Sequence, residues 1–294
     1  MLDYDMPLWR PPSEGPNLII QATLGCSFNG CTFCSMYKDK TYTARPLDDV
    51  CADIDRAGRA WPDAHRVFLA DGDALALETD ALLRILDKLA ETLPALARVS
   101  CYATPLNLNR KSAAELRRLK EAKLNQVYVG IESGSDDILR RIKKGSRKAM
   151  IKALERADEA ALKVSATVIL GLGGKAFWQD HIAETASLIN RVPPTYLSTL
   201  QLGLEDRMVD EFNDAFGRDG GAFEPQDDAG VLAELAGLLE QVAPPRPVIF
   251  RSNHASNCLP LAGTLPKDSA RLLGEVRRAQ TGARALRPEG ARGF

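Results

Sequence analysis

Cys26, Cys31 and Cys34 fall within nine residues, in Gly25-Cys26-Ser27-Phe28-Asn29-Gly30-Cys31-Thr32-Phe33-Cys34, a C-x4-C-x2-C spacing. Three thiolates on one short loop can reach three corners of a [4Fe–4S] cube, because soft sulfur ligands suit iron–sulfur clusters. A three-ligand set leaves one iron open, and an open iron is a place for a substrate or cosubstrate. The rival chemistry is a tetrahedral zinc site completed by a distant Cys or His. Zinc knuckles pair two C-x2-C hooks or add histidines at short spacing. The three histidines, at 65, 181 and 254, have no such spacing. Cys51, Cys101 and Cys258 are far apart and lie in no C-x2-C hook, so no auxiliary cluster is expected.

Other chemistry-bearing residues sit where short apolar runs end. Leu69-Ala70-Asp71-Gly72-Asp73 offers carboxylates beside a glycine. An ammonium group wants carbonyls and an acid, and glycine lets the backbone come close. The simpler reading is a plain strand-to-helix turn. Val129-Gly130-Ile131-Glu132-Ser133-Gly134-Ser135 places an acid at a run's end. That acid suits paired hydroxyls, or it caps a helix N-terminus. Thr167-Val168-Ile169-Leu170-Gly171-Leu172-Gly173-Gly174 is glycine-rich, which alone is weak evidence for a phosphate site. The dinucleotide-binding alternative needs G-x-G-x-x-G after the first strand, where Cys26 stands instead.

A polar island, Arg251-Ser252-Asn253-His254-Ala255-Ser256-Asn257-Cys258, follows another apolar run. His254 would serve as a general acid or base near neutrality. Arg251 would clamp a carboxylate, and Asn253 and Asn257 would hold substrate. Tyr102, at the end of the third run, is a substrate contact or a core residue. The rivals for the island are a solvated turn-rich loop and a structural latch whose amides cap nearby backbone.

These residues need elements to aim them. Leu18–Ala22, Arg66–Ala70, Arg98–Ala103, Gln126–Ile131, Ser165–Leu170 and Tyr196–Leu202 are apolar at nearly every position, as buried parallel strands are. Helices are expected between them. Asp80–Leu93 has Leu82, Leu83, Leu86 and Leu89 at helical spacing, and Ser112-Ala113-Ala114-Glu115 is a capping box. Further helices are expected over Ser135–Lys144, Lys148–Leu162 and Phe177–Val192. Six strand–helix units argue for a parallel α/β fold. Beyond residue 204 the alternation weakens. Glu205–Asp228 reads as polar and glycine-rich, Ala229–Val242 as a helix and Val248–Phe250 as a strand. The stretch from Ala279 to Phe294 reads as a fraying tail whose Arg284, Arg287 and Arg292 are solvated.

Composition excludes several classes. With 294 residues, 45% hydrophobic and 26% charged, the chain can bury a core without disulfide staples. The 38 Lys and Arg balance 39 Asp and Glu, which leaves no general basic field for nucleic acid. No apolar run approaches the ~20 residues of a membrane span. The acidic start, Met1-Leu2-Asp3-Tyr4-Asp5, is unlike a signal peptide, so a cytoplasmic protein is expected. Reduced cytosolic thiols favour metal binding or catalysis over disulfides.

At the cysteine motif the chain resembles the radical S-adenosylmethionine (SAM) superfamily. The similarity is to the broad branch with Elp3/MiaB/NifB-like and coproporphyrinogen dehydrogenase-like enzymes, and it extends over about residues 17 to 203. The family's loop is usually C-x3-C-x2-C; here the first gap is one residue longer, while Phe33 keeps the aromatic before the last cysteine. The resemblance implies a partial (β/α)6 barrel over 1–203, with an extension over 204–294 that covers the barrel mouth and closes the substrate site. It implies Cys26, Cys31 and Cys34 as ligands of a [4Fe–4S] cluster. Gly72 and Asp73 would hold the SAM amino group, in place of the usual Gly-Gly-Glu. Glu132 would lie near the SAM ribose, and Ile169 and Gly171 would pack around adenine, although Thr167 and Gly174 depart from that motif. The implied activity is reductive cleavage of SAM to a 5′-deoxyadenosyl radical that abstracts hydrogen from a small or medium organic substrate. The electron would come from a donor such as flavodoxin or ferredoxin. The alternatives are an RNA-modifying or radical methylating enzyme on the same core, and a non-catalytic haem chaperone-like protein.

Overall fold

The computed structural model describes residues 2–218 and 220–293. In chain order, β1 (Leu18–Gln21) leads into a short β2 (Thr23–Leu24), which pairs antiparallel with β3 (Thr43–Ala44). There follow α1 (Leu47–Ala60), β4 (Arg66–Ala70), α2 (Thr79–Thr92), β5 (Arg98–Ala103), α3 (Pro105–Arg110), α4 (Ala113–Glu121) and β6 (Leu124–Glu132). Next come α5 (Asp136–Arg141), α6 (Arg147–Glu159), β7 (Lys163–Leu170), α7 (Gly174–Arg191) and β8 (Tyr196–Gln201). The chain continues through α8 (Asp206–Gly217), α9 (Asp228–Gln241), β9 (Val248–Arg251), β10 (Ala262–Leu265) and α10 (Ser269–Gln280). The result is an α/β fold with a mostly parallel sheet, the strand–helix alternation of a partial TIM-like barrel.

The chain divides into two compact units. The first comprises Met1–Asn29, Met36–Val129 and Lys152–Val164; the second comprises Gly30–Ser35, Gly130–Ile151 and Ser165–Phe294. In the first, β1, β4, β5 and β6 pair in parallel in that order, with a bulge between Val99 and Ser100. Helix α2 turns Leu82, Ile85, Leu86 and Leu89 inward, so Ile85 takes the place expected of Leu83. Burying such a side chain contributes about 1.5–3 kcal/mol. The capping box at α4 forms as read, with Ser112 and Glu115 each bonding the other's backbone N–H.

In the second unit β7, β8 and β9 pair in parallel, and β10 joins β9 antiparallel. Its core holds Ile138, Leu139, Ile142, Ile169, Phe212 and Phe216. The structure adds to the sequence reading in two places in this unit. The stretch Glu205–Asp228, read as polar and glycine-rich, holds a helix, because Met208, Phe212, Ala215 and Phe216 form the buried stripe of α8. The stripe was present at helical spacing but diluted by acidic residues. The tail arginines are not solvated bystanders. Arg284 pairs with Glu275, and Arg292 makes two bonds to Asp228 of 2.7 and 2.6 Å. The Arg287 guanidinium donates to the carbonyls of His254, Ala255 and Asn257. Among the described residues no helix is long and apolar enough to cross a membrane.

Candidate cofactor site

The β2–β3 ribbon brackets residues 25–42, the segment on which the cysteines lie. Within the first unit the segment's start is clamped to the end of β4. The Gly72 amide donates to the Gly25 carbonyl at 3.1 Å. A β-carbon at position 72 would stand 2.8 Å from the Cys26 β-carbon, so only glycine fits. Asp73 is buried and turned toward the same loop; its carboxylate accepts the Ser27 amide at 2.8 Å and the Ser27 hydroxyl. Asp71 is fully buried. Its Oδ2 accepts from Gly25 N at 3.3 Å and from Gln21 Nε2 at 3.4 Å and pairs with Lys40 at 3.1 Å, and the buried Tyr37 hydroxyl bonds the same carboxylate. Tyr102 packs edge-on against Phe68 and Tyr128, with ring centroids 5.2 and 6.1 Å away.

In the second unit Cys31 is buried and Cys34 half-buried. The Thr32 amide donates to the Ile142 carbonyl at 3.3 Å, tying this part of the loop to the end of α5. Lys144, nearly buried, pairs with Glu132 at 3.1 Å. Burial works against its charge, but Cys31, Glu132 and Cys34 outweigh burial and hold the ammonium above its usual range. Glu132 closes β6 at φ +63°, a left-handed conformation costly for a side chain of this kind. Gly130 makes room for the pair, since a β-carbon there would meet the Glu132 carboxylate. Phe33 packs on the same apolar cluster as Ile169. Beneath them His181 bonds the Ser133 hydroxyl at 2.8 Å and the Ile169 carbonyl at 3.0 Å. Burial lowers its pKa to about 4, so it is neutral near pH 7.

The polar island is tied down on several sides. Asn257 donates to the Thr199 carbonyl at 2.7 Å and to Ser252 at 3.1 Å. The Asn257 Oδ1 and the Thr199 Oγ1 beside it stay buried without partners. His254 bonds Ser256 at 2.8 Å, and burial, with Arg287 nearby, lowers its pKa below the ordinary imidazole value. Asn253 is exposed. The Arg251 guanidinium lies 5.1 Å from the centroid of the Tyr196 ring.

Among the described residues no disulfide joins any of the cysteines. Burial pushes the Cys101 thiol up to about 12 and the Cys258 thiol up to about 11, so both stay protonated and are poor metal ligands. Among the described residues no three His, Cys, Asp or Glu side chains form a ready metal-holding group. What fits a thiolate-bound cluster is the donor chemistry. Two of the three closely spaced thiols, Cys31 and Cys34, lie in the field of a buried cation. Sequence reasoning missed Lys144 and Asp71. Lys143-Lys144 reads as an ordinary basic helix end, and Asp71 reads as half of a turn.

Residues 20–189 match the family model of the radical SAM superfamily. The chain belongs to that superfamily, whose members use a [4Fe–4S] cluster and SAM. It is 28% identical over 228 residues to a candidate methylthiotransferase of Methanocaldococcus jannaschii, covering 69% of this chain and 49% of that one. It is 24% identical over 187 residues to the heme chaperone HemW of Bacillus subtilis, covering 61% and 48%. The chain thus spans about half the length of the curated relatives it matches. Its fold is shared with the coproporphyrinogen III oxidase HemN of Escherichia coli, with a TM-score of 0.58 at 15% identity over 77% of this chain and 52% of that one.

Proposed function

We propose that the protein is a radical SAM enzyme in which Cys26, Cys31 and Cys34 hold the cluster. The observation that carries this reading is the nearly buried Lys144, which pairs with Glu132 at 3.1 Å and is held charged in part by Cys31 and Cys34. A fixed cation offsets the charge of thiolates and of a cofactor carboxylate where water cannot. Bound together, cluster and SAM supply one-electron cleavage of SAM and a carbon radical that takes a hydrogen atom from substrate. The protein's own residues bind and orient. Gly72 admits the close backbone approach that a methionine end requires. Asp73, engaged by Ser27, holds the Cys26 loop, and we assign the fully buried Asp71 carboxylate at the end of β4 to the amino group together with Asp73. Glu132 accepts from the ribose hydroxyls. Phe33, Ile169 and Gly171 form the apolar wall for adenine.

The substrate is a small or medium organic molecule held by Arg251, Asn253 and His254 of the extension, residues 204–294. Asn257 Oδ1 and Thr199 Oγ1 are acceptors for its donor groups, and Tyr102 is a further contact. The electron donor is a flavodoxin or ferredoxin. The near-zero net charge argues against an RNA substrate, although a tRNA-2-methylthio-N(6)-dimethylallyladenosine synthase is among the relatives.

The test is anaerobic reconstitution followed by SAM and dithionite. About four irons per chain and production of 5′-deoxyadenosine are expected. Iron should be lost in Cys26→Ala, Cys31→Ala and Cys34→Ala and kept in Cys51→Ala and Cys101→Ala. Full iron in Cys34→Ala would sink the assignment. Tight SAM binding with no deoxyadenosine would favour the chaperone-like alternative, in keeping with the HemW relative.

A further inference from the structure

Helix α9 turns Val231, Leu232, Leu235, Leu238 and Leu239 inward, and among them one acid, Glu234, with no exposed surface. Packing does not call for a carboxylate there. Glu234 Oε2 accepts the Gly171 amide at 2.7 Å. Its Oε1 accepts from Gln226 Nε2 at 3.2 Å, and that nitrogen also reaches the Gly174 carbonyl at 3.3 Å. One carboxylate and one amide therefore hold both ends of the Gly171–Gly174 turn, in which Gly171 sits at φ +83°.

We propose that Glu234 is a positioning residue for the cofactor: its charged carboxylate holds the Gly171–Gly174 turn in the form that receives the adenine of SAM. The inference rests on the assignment of Ile169 and Gly171 to adenine given above. Hydrogen-bond accounting gives the reason the charge matters. An ionised carboxylate only accepts, so it satisfies the Gly171 and Gln226 donors together. A protonated one must donate from one oxygen. If that oxygen is Oε2, it opposes the Gly171 amide, which has no other orientation. If it is Oε1, that oxygen becomes a weaker acceptor and its hydrogen competes for the space of the Gln226 amide, which loosens the bond that also holds Gly174. Either way a tether of the turn is weakened.

The group changes charge in the neutral range. Burial pushes Glu234 up to about 7, while the Gly171 amide and Gln226 pull it down. Among the described residues no charged side chain bonds Glu234, and His181, bonded to the Ile169 carbonyl, is neutral there. The sign follows from linkage. Above about 7 the carboxylate is charged and the turn tethered at both ends, so SAM affinity rises with pH through that value. Folding stability moves the other way. The folded state holds this proton more tightly than an unfolded glutamate, so stability falls as pH rises from 4.5 to about 7 and then levels off.

The experiment measures SAM affinity by calorimetry on anaerobically reconstituted protein at pH 6, 7 and 8, with melting temperature and iron content alongside. Glu234→Gln keeps the shape and one acceptor but is neutral throughout, so it reproduces the protonated state at every pH. SAM's own titration is common to both proteins and cancels in their ratio. The parent is expected to gain about three- to tenfold in affinity over Glu234→Gln between pH 6 and 8, the size of one hydrogen bond's net contribution, with equal iron content. Parallel profiles would overturn the inference while leaving the cofactor assignment standing. A cluster-loaded parent that binds no SAM at any pH would defeat that assignment and the role of Glu234 with it. Glu234→Ala leaves the turn amide unpartnered and is expected to lower melting temperature; the Gln variant keeps the test valid where the Ala variant does not fold.

Discussion

A side chain at position 72 collides with the cysteine loop before it can obstruct a cofactor. The Gly25 carbonyl oxygen and the Cys26 β-carbon both lie 2.8 Å from where its β-carbon would be. A role for Gly72 in SAM binding alone would have Gly72→Val abolish SAM affinity and spare the cluster. The packing changes that expectation: Gly72→Val should displace Cys26 and lower iron content together with SAM binding. Gly30→Ala is the matched control, because nothing lies within 4 Å of its added carbon. Iron analysis after anaerobic reconstitution compares the two. Parental iron in Gly72→Val would mean that the loop yields at no cost, and the clamp between Gly72 and Gly25 would lose its structural role.

At the level of elements, helix α4 begins where Ser112 and Glu115 satisfy each other's backbone donors. The Ser112 amide, then the Thr79 and Ser112 hydroxyls, hold the Glu115 carboxyl down at about 2. Ser112→Ala should cost about 1 kcal/mol, read as a lower denaturant midpoint with an unchanged slope. A changed slope would mean that the unfolded state, not the cap, was altered. The cap was legible because it is local, four residues long and independent of what the helix packs on. Helix α8 was not. Its apolar residues Met208, Phe212, Ala215 and Phe216 are separated by acidic ones, and only their burial, with Phe212 and Phe216 in the core cluster, shows that the stripe is core.

For the whole molecule, the C-terminal residues matter through bonds over long sequence distances. Arg287 donates to three carbonyls of the polar island, and its own amide donates to the Cys258 carbonyl at 2.7 Å. Arg287→Ala should therefore destabilise the fold by about 2 kcal/mol, since hydrogen bonds to charged groups are the stronger kind. A melting temperature equal to the parent's would return these arginines to the solvent. The Arg292 guanidinium, bonded to Asp228, holds that carboxyl below the usual carboxylate range. Its contribution is present above the ordinary value of 3.8 and fades as pH falls below it. Asp228 is partly exposed, so solvent screening keeps the contribution below about 1 kcal/mol.

The sequence by itself determined the strand–helix alternation and the class of chemistry. Arg66–Ala70 and Arg98–Ala103 were read with the bounds the structure gives them, because a buried parallel strand needs an apolar run and little else. The family, too, was legible in the C-x4-C-x2-C spacing and the strand-end motifs after it, where identity and spacing carry the chemistry. Only the tertiary structure decided the partners. Lys144 lies twelve residues from Glu132, Glu234 sixty-three from Gly171, and Arg287 thirty-three from His254. No local pattern predicts such pairs, because long-range pairing depends on which faces the fold buries together. Burial then sets the charge of what it encloses, raising Glu234 and lowering His181, as no residue type does alone.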